Sequence, residues 1–269
     1  RCGARAICGE QPWGEAVDPE AVQKALQAHP EASVLAFVHA ETSTGALSDA
    51  QTLAAIARSH DCLSLVDTVT SLGGVPLLVD EWGLDAVYSG TQKCLSAPPG
   101  LSPVTFSERA QQRLRARKTP VQSWFLDLSL VMDYWGQGPQ RTYHHTAPVN
   151  SLYALHESLL MLKEEGLKQA WDRHYKNHRI LREGLESLGL SFVVDPSSRL
   201  PQLNTVWIPT GYDDKAVRNY LLKAHALEIG GGLGDFAGKA WRIGLMGYSS
   251  RAEVIARCLA ALKDTLGDA

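Results

Sequence analysis

Hydrophobic and polar positions run through this chain in two rhythms, and the change from one to the other outlines its elements. Short apolar runs at 34–38, 62–66 and 86–88 have the length and β-branched content of strands buried on both faces. Stretches of helical period lie between them. Asp18-Pro19 supplies an N-cap and a first-turn proline, and Val22, Ala25 and Leu26 fall on one side of the helix that follows. Ser48 and Gln51 form a capping-box pattern ahead of Leu53, Ile56 and Ala57. Strand, helix, strand at this spacing predicts the βαβ unit of a parallel sheet.

The second half alternates differently. Helices are predicted at 149–165 and 167–188, then strand-like pieces at 191–194, 205–208 and 241–243, with a helix from Asp213 and a last one from Ser250. Ser250 and Glu253 repeat the capping-box pattern. The chain is thus expected to form a large N-terminal domain, 1–165, and a smaller α/β domain, 166–269. Residues 119–148 break the rhythm: Trp124, Phe125, Tyr134, Trp135 and Tyr143 follow no regular period. A structureless stretch of about this length belongs to function or to a partner, so it reads as a dimer-interface and active-site segment.

Composition narrows the function. With a net charge of -3 and 20% charged residues, nothing points to nucleic acid or an anionic membrane as partner. No apolar run approaches the roughly 18 residues needed to span a bilayer. The basic helix with Arg109, Arg113, Arg115, Arg117 and Lys118 lacks interleaved aromatics and reads as a solvated face. Cys2, Cys8, Cys62, Cys94 and Cys258 are odd in number and show no metal-type spacing, which fits a reduced intracellular compartment. No metal is expected from the histidines either. His144 and His145 are neighbours on an extended segment and should point to opposite sides. His174 and His178 have i, i+4 spacing but sit among Asp172, Arg173, Lys176 and Asn177, the composition of a solvated helix face. Gly232, Gly234 and Ala237 fit a dinucleotide fingerprint, but a strand and not a helix follows them. Without a helix N-terminus for the pyrophosphate, the segment reads as a flexible loop that moves when substrate binds.

Two polar residues interrupt the buried runs. Lys93 follows the strand-ending Ser89-Gly90 and precedes the turn Pro98-Pro99-Gly100, at the edge of a core where lysine either snorkels to water or acts as an amine nucleophile. Asp67 ends the second strand run, the edge at which open α/β sheets bind ligands. A lysine for a Schiff base and a carboxylate for a pyridine nitrogen are what pyridoxal phosphate requires.

Four separated motifs carry a resemblance over nearly the whole chain. Leu65-Val66-Asp67 with Val69, the 89–93 segment followed by 97–100, Tyr143-His144-His145-Thr146-Ala147-Pro148 and Trp241-Arg242-Ile243-Gly244 resemble the class V aminotransferases, nearest to their alanine–glyoxylate (serine–pyruvate) branch. The resemblance implies a fold-type I α/β architecture, with a mainly parallel sheet in the large domain. It implies pyridoxal 5'-phosphate on Lys93, Asp67 at the ring nitrogen, Val69 against the ring face, Thr42 near the ring oxygen and Gln92 reaching the phosphate. Tyr143 and Thr146 resemble donors to the phosphate of the neighbouring subunit's cofactor, which implies a homodimer. Arg242, whose planar fork suits a carboxylate, resembles the residue that holds the substrate.

The implied reaction passes an amino group from alanine or serine to glyoxylate or pyruvate. A kynurenine-type transaminase is the nearest alternative. A desulfurase-like lyase would need a reactive cysteine on a late, mobile loop, and neither Cys94 nor Cys258 fits. A non-catalytic dimerising protein is a further reading, because the family's phosphate-cradling glycine loop and ring-stacking aromatic are absent and Trp13 does not take that place. As the sequence starts at Arg1, the chain is expected to lack its natural beginning. The family implies the peroxisome, with the mitochondrion as alternative, although the final Leu266-Gly267-Asp268-Ala269 is not a peroxisomal signal of the Ser-Lys-Leu type.

Overall fold

The structure is a computed structural model that describes residues 3–136 and 142–267. Strands β1 (Val34–Val38), β2 (Leu63–Asp67), β3 (Ala86–Tyr88) and β4 (Val104–Phe106) make one sheet in that order. The first three are parallel and β4 runs antiparallel to β3. Helix α1 (Pro19–Ala28) precedes β1, α2 (Ala50–Ser59) joins β1 to β2, and the two cover one face of the sheet. Phe37, Leu53, Ala54, Val66, Leu84 and Val87 close the core between these helices and one sheet face. The other face presents Val34, Leu65, Tyr88 and Val104, between 36% and 52% exposed.

Local chemistry places the boundaries. Asp18 caps α1 by accepting the Glu20 N–H, as its position next to Pro19 predicts, while Ala25 turns outward and Leu26 carries the buried side. The cap of α2 differs from expectation: Asp49, not Ser48, accepts the Thr52 N–H, and the Ser48 hydroxyl instead takes the Val17 N–H. Asp is the stronger acceptor, and Ser48 is buried where a backbone donor needs it. β2 starts at Leu63 and not at Cys62, so Asp67 is its last residue.

Helices α3 (Glu108–Arg115) and α4 (Leu128–Trp135) follow. The basic face of α3 is solvated except at Arg109, which pairs at 3.0 Å with the buried Asp85. Residues 119–148 are not wholly irregular, since Asp127 caps the two turns of α4. Helices α5 (Val149–Glu165) and α6 (Leu167–Ser187) lead to an antiparallel sheet of β5 (Leu203–Trp207), β6 (Gly230–Gly231) and β7 (Ala240–Gly244), ordered β5-β7-β6. With α7 (Asp214–His225) and α8 (Ala252–Leu266), it encloses Leu181, Leu221, Trp241, Ile255 and Leu262, each at most 1% exposed.

Three expectations for this half are corrected. Residues 191–194 form no strand; Phe192 makes only an isolated bridge to Val206. Ser250 does not cap α8, which starts behind Arg251 without a side-chain cap, because Asn177 donates to the Ser250 hydroxyl. His174 and His178 do not lie on a solvated face. They are 1% and 6% exposed, and buried partners satisfy them: the Ala170 carbonyl for His174 and the Asn204 amide oxygen for His178.

The two halves meet at the carboxyl edge of the parallel sheet. Leu47 N–H donates to Ser198 O at 2.8 Å and Leu200 N–H to Gly45 O at 2.8 Å. The Gln202 side-chain amide donates to Thr70 O at 2.8 Å. No helix among the described residues is long and apolar enough to cross a membrane.

Candidate active site

Parallel register aligns the ends of three strands, pairing Val38 with Asp67 and Asp67 with Tyr88. Whatever follows them emerges at one edge, where a parallel α/β sheet builds its sites. Asp67 is held twice there: one carboxylate oxygen accepts the Val69 N–H at 2.8 Å and the other accepts the Tyr88 hydroxyl at 2.7 Å. Burial pushes the Tyr88 phenol up to about 12, and its bond to Asp67 adds to the rise. The phenol therefore stays protonated and donates throughout the neutral range. Tyr88 carries no mark of this role in the sequence. Its only signal is the strand register, which the sequence does not display.

Lys93 is half-buried in the turn after β3. Hydrogen bonds close that turn on itself: Ala97 N–H to Thr91 O at 3.0 Å, the Thr91 hydroxyl to Pro98 O at 2.6 Å, and Ser96 N–H to Lys93 O at 3.0 Å. Ser96 takes φ +58°, a left-handed conformation that serine seldom adopts. Lys93 opens on a cavity of about 450 Å³ lined also by Gln92, Ser96, Ala97, Gly244, Met246, Tyr248 and Ser249. Gln92 is exposed at its rim.

Arg242 lies on β7 two residues before Gly244, which lines that cavity. Its Nε donates to Gly231 O and its Nη1 to Thr42 O, each at 2.8 Å. Thr42, in the loop after β1, is thereby tied to the second sheet by its carbonyl. Burial lowers the Arg242 pKa, opposed by Glu41. Among the described residues no carboxylate lies within ion-pair distance of Arg242, and Glu41 acts on this half-buried cation only from farther off. Val69 is half-buried beside Asp67.

Tyr143 and Thr146 stand apart from that cavity. Their hydroxyl oxygens are 2.7 Å from each other, and both side chains are exposed. His144 and His145 do not point apart as expected; their Nδ1 atoms meet at 2.7 Å. The cause is local, since His144 stacks on Trp124 with centroids 3.9 Å apart and turns its ring toward its neighbour. No group of three metal-ligating side chains occurs among the described residues. The loop with Gly232 and Gly234 is a two-residue strand followed by a single 3₁₀ turn, and its Leu233 carbonyl accepts from Trp13 Nε1 at 3.1 Å.

Residues 11–255 match the model of the family described as Aminotransferase class-V. An alanine–glyoxylate aminotransferase of Callithrix jacchus is 41% identical over 268 residues, covering 99% of this chain and 64% of the relative. A (S)-ureidoglycine–glyoxylate transaminase of Bacillus subtilis is 37% identical over 284 residues, covering 99% of this chain and 68% of its own length. The solved alanine–glyoxylate aminotransferase of Nostoc sp. superposes with a TM-score of 0.91 at 49% identity, over 96% of this chain and 67% of that one. The chain therefore spans about two thirds of the length of such relatives. Its architecture is that of the fold-type I pyridoxal-phosphate enzymes. On a matched family model, four-tenths identity and a shared fold, this chain belongs to the class V aminotransferase family.

Proposed function

We propose that the chain serves a pyridoxal-phosphate-dependent transamination in which alanine or serine gives its amino group to glyoxylate or pyruvate. The observation that carries this reading is Arg242, a half-buried guanidinium in direct ion pairing with no carboxylate among the described residues, two positions along β7 from Gly244 in the wall of the cavity that Lys93 enters. A cation so placed is satisfied by an anion from outside, and the carboxylate of an amino acid fits its fork.

The donor set suits the cofactor. Asp67 accepts two hydrogen bonds, which leaves lone pairs for a protonated ring nitrogen. Lys93 would bond its aldehyde, Val69 would pack on the ring, Thr42 would lie near the ring oxygen, and Gln92 would reach the phosphate. The paired hydroxyls of Tyr143 and Thr146 suit a phosphate of a partner's cofactor in a homodimer. Bound there, pyridoxal phosphate supplies a carbonyl for the amino group and a ring that withdraws electrons from the substrate α-carbon. Around it, Arg242 orients the substrate carboxylate, Asp67 keeps the ring nitrogen protonated, and Lys93 Nζ takes the α-proton and returns it.

The thiols favour transamination over a desulfurase-like reaction. Burial pushes Cys94 up to about 12 and Cys258 to about 11, so neither is a thiolate at neutral pH. The proposal includes the division into 1–165 and 166–269, and a peroxisomal or mitochondrial location taken from the resemblance.

The test is the visible absorption spectrum of the chain with added pyridoxal phosphate. A pH-sensitive band that Lys93→Ala abolishes and alanine bleaches is expected. A band that ignores Lys93, or none in a chain shown to be folded, overturns the proposal for this chain.

A further inference from the structure

Between Arg242 and Lys93 runs the turn 245–250, and a row of side chains on α6 grips it. Gly247 N–H donates to His174 Nε2 at 2.9 Å, so Nε2 carries no proton, and the proton on Nδ1 goes to Ala170 O at 2.7 Å. Arg173 Nη1 donates to Gly247 O at 2.8 Å and Ser250 O at 3.0 Å, while its other edge is paired with Glu165. Asn177 Nδ2 donates to Ser250 O at 2.7 Å. Two successive helical positions, 173 and 174, and a third about one turn on, 177, thus satisfy both ends of the same segment.

The far side of that turn presses on the lysine loop. Tyr248 N–H donates to the Ser96 hydroxyl at 2.8 Å, and Ser96 is the left-handed residue whose N–H closes the Lys93 turn. There is no slack. A Cβ on Gly247 would come within 2.0 Å of Ser96 Oγ and 2.6 Å of Cys94 O. The chain of contacts therefore runs from buried α6 through Gly247 and Tyr248 to Ser96, while β7 feeds Arg242 into the other end.

We infer that Arg173, His174 and Asn177 are positioning residues that fix the Lys93 loop against the Arg242 strand, and so set the span across which a substrate is held. This rests on the proposed transamination for its purpose, but not for the clamp itself. The groups are buried or half-buried, and none enters the Lys93 cavity. The neutral state that His174 needs is the one burial favours, with Arg173 adding to that tendency and Glu165 opposing it.

Hydrogen exchange without cofactor tests the clamp. His174→Phe keeps bulk and removes the acceptor, and Ser96→Ala breaks the link from the other side without touching the α6 core. Both should raise exchange at least tenfold across 92–97 and 246–250 together, and His174→Gln, whose amide oxygen accepts, should restore much of the protection. Release of 246–250 alone, with 92–97 still protected in both variants, overturns the inference. With pyridoxal phosphate, His174→Phe, which leaves the cavity wall unchanged, should keep the Lys93-dependent band, and the alanine concentration for half-bleaching should rise about tenfold and return toward wild type in His174→Gln. An unchanged alanine midpoint refutes the positioning role. If exchange responds as stated but wild type gives no Lys93-dependent band, the transamination reading fails and the clamp stands.

Discussion

Asp67 shows how far a residue's type alone reaches. Its position after an apolar run was legible, because a carboxylate that ends a buried strand is conspicuous. Its grip by Tyr88 was not, since the two are 21 positions apart and meet only through the β2–β3 register. Tyr88→Phe should cost about 1 kcal/mol of stability, as expected for one hydrogen bond to a charged group that is partly solvated. On the proposed chemistry it should also slow amino transfer about tenfold by loosening Asp67, which steady-state rates with alanine would measure. His39 gives a second prediction. Burial lowers its pKa to about 4, nearby Asp49 only partly offsets this, and its Nδ1 has no partner. The unfolded chain then binds the proton more readily than the folded one between about pH 6.5 and pH 4. Stability is full above that window and falls as pH drops through it, by about 3 kcal/mol from His39. His174 and His178, also lowered by burial, add in the same direction. Urea unfolding at pH 7.5 and pH 4.5 checks this, and His39→Phe should flatten the dependence.

Among the elements, capping shows where pattern and structure part. Asp18 and Asp213 begin their helices as read, because each is followed at once by a helix and has no rival acceptor. Ser48 and Ser250 fit the same pattern, yet tertiary donors claim both hydroxyls: the Val17 N–H and the Asn177 amide. The junction of β2, β3 and α3 depends on Asp85, 2% exposed, which accepts from Ser64 N–H, the Ser107 hydroxyl and Arg109. Asp85→Ala leaves the buried Ser64 N–H without its acceptor and Arg109 with only the exposed Asp61 and the Cys62 carbonyl, so thermal and urea unfolding should show a loss of about 3 kcal/mol. Asp85→Asn, which keeps an acceptor, should lose less.

For the molecule as a whole, the feature that matters most is the open face of the first sheet. Parallel sheets are ordinarily covered on both faces, yet Val34, Leu65, Tyr88 and Val104 stay exposed here. Trp124, Phe125 and Leu126, consecutive in the chain, are each at least 58% exposed as well. Contiguous apolar surface of this kind drives association. Sedimentation velocity should therefore show concentration-dependent self-association of this chain, reduced by Val104→Lys, which places a charge on the open sheet face. A strictly monomeric chain at high concentration would contradict it.

What the sequence determined on its own was whatever depends on neighbours in the chain. The strand runs, the helix periods, Asp67 at a strand end, Lys93 in its turn and the family motifs all lie within short windows, where sterics and periodicity act directly. Only the tertiary structure decided which polar groups were already spoken for. It buried His174 and His178, which their charged neighbours had suggested were solvated. It left Arg242 half-buried and out of ion-pair reach of every carboxylate among the described residues, and it set Tyr88 on Asp67. Those outcomes follow from hydrogen bonds between residues far apart in sequence, whose partners exist only once the two halves have packed.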